Sequence, residues 1–219
     1  RMERNLTPLT VEPMRALTAG ELVLEPLVAG HADAMFAALS DPVLYQYLDH
    51  PPPPTVEHLR AVYAGVEKRL SPDGSQVWLN WVVRRPGEAP LGYVQATVMP
   101  DRTAWVGYVF SVQHWGRGHA TQAGRAMLEH LAAECGVRCF LASVEAEILS
   151  SIRLLERLGF RAAQETPWRA TNCRRASGCL SGDRGWNKMP SGHRAGDGVP
   201  AAVAPLTLIR YVRRRRLAL

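Results

Sequence analysis

The stretch Gln113-His114-Trp115-Gly116-Arg117-Gly118-His119-Ala120 lies between two segments of different periodicity. Before it, residues 104–110 are rich in β-favouring side chains and predict a strand. After it, apolar residues recur every three or four positions from Ala120 to Leu131, which predicts an amphipathic helix. Closely spaced glycines let a backbone approach a ligand, and the first-turn amides of a helix have no partners within the helix. The stretch therefore predicts a site for phosphate oxygens.

Arg117 adds a fixed positive charge to this loop, which suits a pyrophosphate or a sugar phosphate. Two other nucleotide-binding loops fit poorly. The glycines are not followed by the Lys-Ser/Thr pair of a P-loop, and the third glycine of a dinucleotide fingerprint is missing. A tight strand-to-helix turn with nothing bound is the alternative that the residues alone leave open.

The rest of the pattern predicts a mixed α/β domain with a sheet at its centre. The order of elements is β, α, α, β, β, β, α, β, α. Strands are predicted at 22–27, 77–83, 91–98, 104–110 and 140–144, and helices at 31–39, 42–48, 55–70, 120–131 and 152–158.

Two motifs resemble those of the GNAT N-acetyltransferases. Gln113-x-x-Gly116-x-Gly118 followed by Ala120 is similar to the acetyl-CoA motif of that family. The segment from Ser151 to Gly159-Phe160 is similar to the family's penultimate helix and its exit. Residues 24–27 and 91–94 also resemble the branch that includes acetyltransferases of ribosomal-protein N-termini. The resemblance covers about residues 21–163.

The resemblance implies a central, mixed, largely antiparallel sheet that is splayed around acetyl-CoA and flanked by helices. It implies transfer of an acyl group from acetyl-CoA to a primary amine, directly and in a ternary complex, without a metal. The backbones of Phe110, Ser111 and Val112 would bind the pantetheine arm. The pyrophosphate would be held by Gln113, Gly116, Arg117, Gly118, His119 and Ala120.

Three positions depart from the family pattern. Ile148 stands where the family usually has an asparagine that positions the cofactor arm, and Leu155 stands where many members have a tyrosine acid. Ser151 is therefore the candidate that protonates the leaving thiolate, as the ribosomal-protein branch suggests; its alternative role is that of a helix N-cap. Trp105 replaces a glutamate that this branch often carries.

The general base has several candidates, because an attacking amine must first lose a proton. Glu145 and Glu147 follow the predicted strand 140–144, and His50 precedes a proline-rich loop. Glu145 is the residue chosen here, although side chains at such positions are more often simply solvated than catalytic. Tyr108, next to the expected reaction centre, is interpreted as a wall of the site.

The chain is predicted to comprise an extension (1–20), the acetyltransferase domain (21–163) and a Gly/Pro-rich basic tail (164–219). Residues 161–219 contain 12 Lys/Arg and 3 Asp/Glu, a balance of +9, whereas residues 1–160 have a balance of −3. The family's C-terminal hairpin is not recognisable after position 161, although 206–212 could form a strand or a short helix. The run 213–216 is predicted to be a disordered basic end, with contact to nucleic acid or anionic lipid as the alternative.

No stretch approaches the ~18 apolar residues of a membrane span, and no signal pattern is evident. A cytoplasmic protein is therefore expected, with Cys135, Cys139, Cys173 and Cys179 as thiols and not as zinc ligands. The expected partner is an amine, either a small molecule or a protein N-terminus, and the protein could be a monomer or a homodimer. A GNAT domain that binds acyl-CoA without turnover, and a nucleic-acid-binding protein, are the alternative functions.

Overall fold

A computed structural model describes residues 14–46, 48 and 50–162, together with the backbone of 208–214. Short 3-10 turns occupy Ala29–His31, Pro42–Gln46 and Val112–His114. The helices are α1 (Ala32–Ala38), α2 (Val56–Val66), α3 (His119–Ala133) and α4 (Leu149–Arg157). The strands are β1 (Leu17–Ala19), β2 (Leu22–Pro26), β3 (Val77–Arg84), β4 (Gly92–Val98), β5 (Thr103–Phe110), β6 (Cys139–Glu145), β7 (Arg161–Ala162) and β8 (Leu208–Arg214).

The described strands form one sheet in the order β1-β2-β3-β4-β5-β6-β8-β7. Every neighbouring pair is antiparallel except β5 and β6, which run parallel because α3 carries the chain back across the sheet between them. The pairing of β5 with β6 is limited to three positions, from Thr103 opposite Cys139 to Trp105 opposite Leu141. Beyond that point β5 stays with β4 and β6 stays with β8.

The two faces of the sheet bury different clusters of apolar side chains. On one face, Trp81, Val94 and Val106 pack beneath α3 and α4. On the other face, Val82 and Val109 pack against α1 and α2. This division follows from the sequence, because alternate residues of a strand point to opposite faces.

The predicted fold class is confirmed: the chain forms a mixed, mostly antiparallel sheet flanked by helices. Three details differ. β1 was not predicted, because three residues are too short for a periodic signal. Residues 42–46 form a 3-10 turn and not an α-helix. Helix α2 ends at Val66 and not near residue 70, since Arg69 adopts a left-handed φ of 63° that breaks the helix.

The expectation that the C-terminal strands are missing is wrong. β7 pairs antiparallel with β8, and β8 pairs with β6 over seven positions, from Cys139 opposite Arg214 to Glu145 opposite Leu208. Residues 163–207 separate the two strands in sequence, so they do not read as a hairpin. Of the two possibilities left open for 206–212, the strand is found, and Arg213 and Arg214 belong to it rather than to a disordered end.

Two further predictions can be compared only in part with the structure. Cys135 and Cys139 are reduced thiols, whereas Cys173 and Cys179 lie outside the described residues, as do 163–207 and 215–219. Within the described part of the chain, no helix has both the length and the apolar character that a membrane crossing requires.

Candidate active site

The divergence of β5 from β6 opens a gap at the centre of the sheet. Only the first three residues of β6 pair with β5, so Val106–Phe110 on one side and Ala142–Glu145 on the other have no direct ladder between them. The loop after β5 and the N-terminus of α3 lie at one end of this gap, and α4 follows β6 on the opposite side. The gap is therefore bordered by the two segments that carry the sequence motifs.

The loop between β5 and α3 leaves the start of the helix open to a ligand. Gly116 and Gly118 have φ values of 72° and 81°, a conformation that favours glycine. Gly118 is the N-cap of α3 and makes no side-chain capping bond. A Cβ placed on either glycine would meet no atom within 4 Å, so the space beside the backbone is empty of protein. Uncapped first-turn amides beside open space suit an anion.

Trp115 holds this loop against the end of β5. Its indole N–H donates a hydrogen bond of 2.7 Å to the carbonyl oxygen of Phe110, and its backbone N–H donates one of 3.1 Å to the carbonyl of Val112. The Trp115 side chain is nevertheless 43% exposed. A large apolar side chain that is exposed and also bonded to the backbone is suited to fixing the loop and leaving one face for a ligand.

A basic residue from a distant turn contacts the first turn of α3. Arg85, in the turn after β3, approaches Nε2 of His119 at 3.1 Å and forms an ion pair with Glu21 at 3.0 Å. Because arginine can only donate, Nε2 of His119 must accept, which places the proton of the neutral imidazole on Nδ1. Burial first, and then the charge of Arg85, lower the pKa of His119, so the ring is neutral at neutral pH.

The pKa of His114 is lowered as well, chiefly by burial and then by Arg117 and His119. Its ring centroid lies 6.1 Å from that of His119. Arg117 itself is exposed on the loop. The fixed charges beside the uncapped amides are therefore Arg85 and Arg117, whereas the two imidazoles are held neutral.

Helix α4 forms the opposite side of the gap. Its N-cap is Ile148, which makes no side-chain capping bond, and its carbonyl accepts from the backbone N–H groups of Ser151 and Ile152 at 3.0 and 3.1 Å. Ser151 is consequently inside the first turn, and its alternative role as the N-cap is wrong. Leu155 is buried in the main core, so it provides no polar group to the gap.

Tyr108 and Ser151 face each other from the two sides of the gap. The hydroxyl of Ser151 on α4 interacts with the phenol of Tyr108 on β5. Tyr108 lies three positions beyond Trp105, the last residue at which β5 pairs with β6. Burial raises the pKa of Tyr108, and the bond from Ser151 opposes part of that rise.

Comparison with known proteins agrees with this geometry. A sequence model described as the acetyltransferase (GNAT) domain matches residues 21–161, which is well over half of the chain. The protein belongs to the GNAT acetyltransferase family. The GNAT chain is also 25% identical over 150 residues to an uncharacterised N-acetyltransferase, p20, of Bacillus licheniformis, covering 68% of this chain and 83% of p20.

Solved GNAT structures show the same fold. The ribosomal L7/L12 α-N-protein acetyltransferase RimL, in complex with coenzyme A, has a TM-score of 0.65 at 18% identity, covering 91% of this chain and 98% of RimL. RimJ of Mycobacterium smegmatis, in complex with CoA-disulfide, has a TM-score of 0.57 at 24% identity, covering 72% and 78% of the two chains. These TM-scores show a shared fold, and the two structures contain coenzyme A (RimL) and CoA-disulfide (RimJ).

The predicted cofactor residues of this GNAT domain fall into two groups. Gln113, Gly116, Arg117 and Gly118 are exposed along the loop, while Ala120 is half-buried and His119 is buried in the first turn of α3. The second group, residues 110–112, already makes several backbone bonds: Ser111 donates to Leu91 at 2.9 Å, and its carbonyl accepts from His114 at 2.9 Å. A carbonyl oxygen that already accepts one hydrogen bond can accept a second one, so these bonds leave the segment able to bind the pantetheine arm. Its role in binding that arm stays a prediction.

The three candidate bases occupy different places in the fold relative to the gap. Glu145 is the last residue of β6, on the border of the gap, and is half-buried; Glu147 is exposed in the turn before α4. His50 is exposed, and its Nδ1 lies 3.1 Å from the carbonyl of Pro51. Within the described residues, no hydrogen bond or ion pair links any of the three to Ser151 or Tyr108. Glu145 remains a prediction, supported by its place at the end of β6.

Sequence reasoning missed two residues that shape the site. Trp115 lies inside the motif, but at a position that the motif leaves unspecified. Arg85 comes from a hairpin turn far from the loop in sequence, and no spacing rule joins it to His119. The sequence did contain one indication of such a partner. His119 occupies a core position of α3, and a buried imidazole needs a polar partner, which Arg85 supplies.

Proposed function

We propose that this GNAT protein transfers an acetyl group from acetyl-CoA to a primary amine, in one step within a ternary complex. The observation that carries the proposal is the uncapped N-terminus of α3 at the end of the gap between β5 and β6. Gly116 and Gly118 leave room there for a pyrophosphate, and an extended arm can continue into the gap. The described residues therefore fit an acyl-CoA.

The chain's own groups would bind the donor and orient it. First-turn amides of α3 and the charge of Arg117 would neutralise the pyrophosphate. Backbone groups of residues 110–112 would hold the pantetheine arm and polarise the acyl carbonyl. Much of the rate enhancement would come from holding the amine against the thioester, because positioning alone can supply several kcal/mol.

Proton transfer completes the scheme. Glu145, at the border of the gap, would accept a proton from the incoming ammonium, directly or through water. Ser151, in the first turn of α4, would donate a proton to the sulfur of the leaving thiolate. The amine attacks only as its neutral form, so we expect the rate to rise with pH until the ammonium is fully deprotonated.

The acceptor is expected to be a protein N-terminus or a small amine. RimL is an acetyltransferase of the ribosomal protein L7/L12, and another solved structural neighbour is a chimeric spermidine N-acetyltransferase. Both acceptors are primary amines, which supports the general reaction class. A cytoplasmic location, and a monomeric or homodimeric state, remain predictions.

A thiol-release screen would test the proposal. Wild-type protein is mixed with acetyl-CoA and a panel containing spermidine, an amino sugar, and peptides that begin with serine, alanine or methionine. We expect free CoA to appear only with certain amines, together with an acceptor mass increased by one acetyl group. Tight acetyl-CoA binding without CoA release from any amine would instead favour a non-catalytic acyl-CoA-binding domain.

A further inference from the structure

The sheet face beneath α1 and α2 carries a row of polar positions beside an apolar cluster. Val82, Tyr93 and Val109 belong to this second apolar cluster, so residues two positions away along each strand point to the same face. Three such residues lie opposite one another in the strand register: Asn80 on β3, Gln95 on β4 and Gly107 on β5. We call these three residues the polar row.

The polar row ends at the gap between β5 and β6. Gly107 lies two positions beyond Trp105, the last residue of β5 that pairs with β6. Because Gly107 has no side chain, β5 places none between Gln95 and the gap at this level of the sheet. The phosphates would bind at the start of α3, which packs on the other face. An amine approaching the acyl group from the α1 and α2 side would therefore pass the polar row.

Two polar atoms on this side of the sheet are buried and have no hydrogen-bond partner within the described residues. They are Oε1 of Gln95 and the hydroxyl of Tyr63, a residue of α2 that packs into the second apolar cluster. Tyr63 is only 6% exposed. Buried polar groups are usually paired, because an unpaired group has lost its bonds to water without replacement. Unpaired groups beside a reaction centre are suited to a ligand that completes their bonds.

This side of the sheet offers hydrogen-bonding atoms and few carboxylates. In the described part of the chain, no acidic residue points to this face from β3, β4 or β5, and none is among the buried residues of α1 and α2. Glu25, on β2, is engaged in two ion pairs, and Glu145, on β6, is the proposed base. A polyamine carries ammonium groups besides the one that reacts, and burying such a charge without a counter-charge is costly.

An amide group matches the two unpaired atoms better than an ammonium does. An amide offers one N–H and one carbonyl oxygen, whereas an ammonium only donates. The carboxamide oxygen of Gln95 can accept from the N–H, and the phenol of Tyr63 can donate to a carbonyl. The chemistry of this side of the gap therefore favours an acceptor whose amine is followed by an amide.

We propose that Gln95 and Tyr63 are specificity-determining residues for the acceptor, and that they select a primary amine followed by an amide group, as at a peptide N-terminus, over a polyamine. This inference rests on the proposed acetyl transfer. Gln95 accepts the N–H of the first amide of the acceptor, and Tyr63 donates to a carbonyl of the same segment. Neither residue takes part in bond making or proton transfer; both hold the amine at the gap.

Three acceptors test this selection with acetyl-CoA as the donor: a tripeptide amide that begins with alanine, butylamine, which has no amide, and spermidine. An α-amino group has a pKa of about 8 and an alkylamine one of about 10.4, so each kcat/KM is divided by the neutral fraction of the amine at the assay pH. We expect wild type to favour the peptide over both other amines by at least about tenfold. A preference for spermidine on this scale would overturn the inference.

Two variants remove the unpaired atoms and keep most of the side-chain volume: Gln95→Leu and Tyr63→Phe. Gln95→Leu should lower kcat/KM at least about tenfold for the peptide and less than about twofold for butylamine. Equal losses for the two amines would show a structural role and overturn the assignment.

Tyr45→Phe is the matched control for Tyr63→Phe. Tyr45 packs against the same apolar cluster, but its hydroxyl already donates a hydrogen bond of 2.7 Å to the carbonyl of Leu39. Tyr45→Phe should therefore melt lower and keep the preference for the peptide. Tyr63→Phe should lose about tenfold in kcat/KM for the peptide without melting lower, because the hydroxyl it lacks has no partner in the protein. The reverse pattern would overturn the role of Tyr63.

Peptide binding to the CoA-loaded protein provides a readout that does not depend on turnover. CoA fills the donor site, so a calorimetric titration with the tripeptide amide reports on the acceptor side alone. We expect binding to Gln95→Leu to be about tenfold weaker than to wild type, with unchanged CoA affinity. If wild type releases no CoA with any amine but shows this difference, the proposed transfer fails and the recognition is supported. No peptide binding, or the same affinity in both proteins, would overturn the recognition.

Discussion

The two sides of the gap are built in different ways. On the β5 side, the loop that would hold the phosphates is stabilised mostly by residues close in sequence, such as Trp115 with Phe110 and His114 with Ser111. On the β6 side, the strand is completed by β8, which comes more than 60 positions later. The first side is therefore a local structure that a short motif can specify, whereas the second depends on distant parts of the chain.

This contrast has a functional meaning. The local side matches the GNAT motif, and the distant side carries both departures at α4, Ile148 and Leu155. Binding of the phosphates should consequently depend on the β5 side, whereas α4 should affect both the fit of the cofactor arm and turnover. The following predictions perturb one side at a time.

Gly92→Ala should have the largest effect, because the added methyl group would force β4 away from β5. A Cβ at Gly92 would overlap the carbonyl oxygen of Val109 and the Cα of Phe110, and backbone atoms cannot move aside cheaply. We expect a loss of about 3 kcal/mol or more in the free energy of unfolding, measured in urea. Gly87→Ala, with a φ of 77° and no atom within 4 Å, is the control and should lose only about 1 kcal/mol.

Trp115→Phe should weaken the donor site without unfolding the protein. The variant keeps an aromatic ring but removes the 2.7 Å bond to Phe110, so the loop loses one attachment to β5. Acetyl-CoA affinity should fall by about 1 kcal/mol, or roughly fivefold, in a calorimetric titration. Trp78→Phe removes a comparable indole bond, to Gln76 at 3.3 Å, and should leave affinity unchanged. Similar affinities for the two variants would show that the Trp115 bond has no part in binding.

Ile148→Asn tests the α4 side. An asparagine at this N-cap could bond the backbone N–H of Ser151 and also offer an amide to the cofactor arm, while the packing of Ile148 against the core is lost. We expect acetyl-CoA affinity to rise by about 1 kcal/mol, roughly fivefold, with a nearly unchanged melting temperature. Ile148→Ala, which loses the packing and gains no bond, should melt lower and bind no better. A lower melting temperature of Ile148→Asn without tighter binding would contradict this account of the position.

The pH dependence of stability should be the smallest effect. Because the pKa of His119 is depressed below 6.5 in the folded protein, the unfolded chain binds more protons as pH falls through 6.5. Stability should therefore decrease as the pH falls through and below 6.5. His119→Gln should reduce the difference in melting temperature between pH 7.5 and 5.5. His58→Gln, at an exposed position on α2, should not; an equal reduction in both would exclude His119 as the cause.

The same contrast explains what could be predicted from the sequence. The strands next to the motif and helix α3 were predicted within about two residues, because their periodicity is local. β8 was not recognised as a partner of β6, since no local signal links a strand to another so far away. Arg85 was missed for the same reason, as its contact with His119 crosses 34 positions.

The most direct test of the donor site compares acetyl-CoA binding by wild type, Gly116→Val and Gly74→Val in one calorimetric series. Gly116 and Gly74 have φ values of 72° and 70°, and an added Cβ would meet no protein atom at either position, so the backbone strain is matched. The account predicts that Gly74→Val binds like wild type, while Gly116→Val shows no measurable binding because its side chain occupies the phosphate position. Equal affinities for the two variants would contradict the placement of acetyl-CoA at the loop before α3.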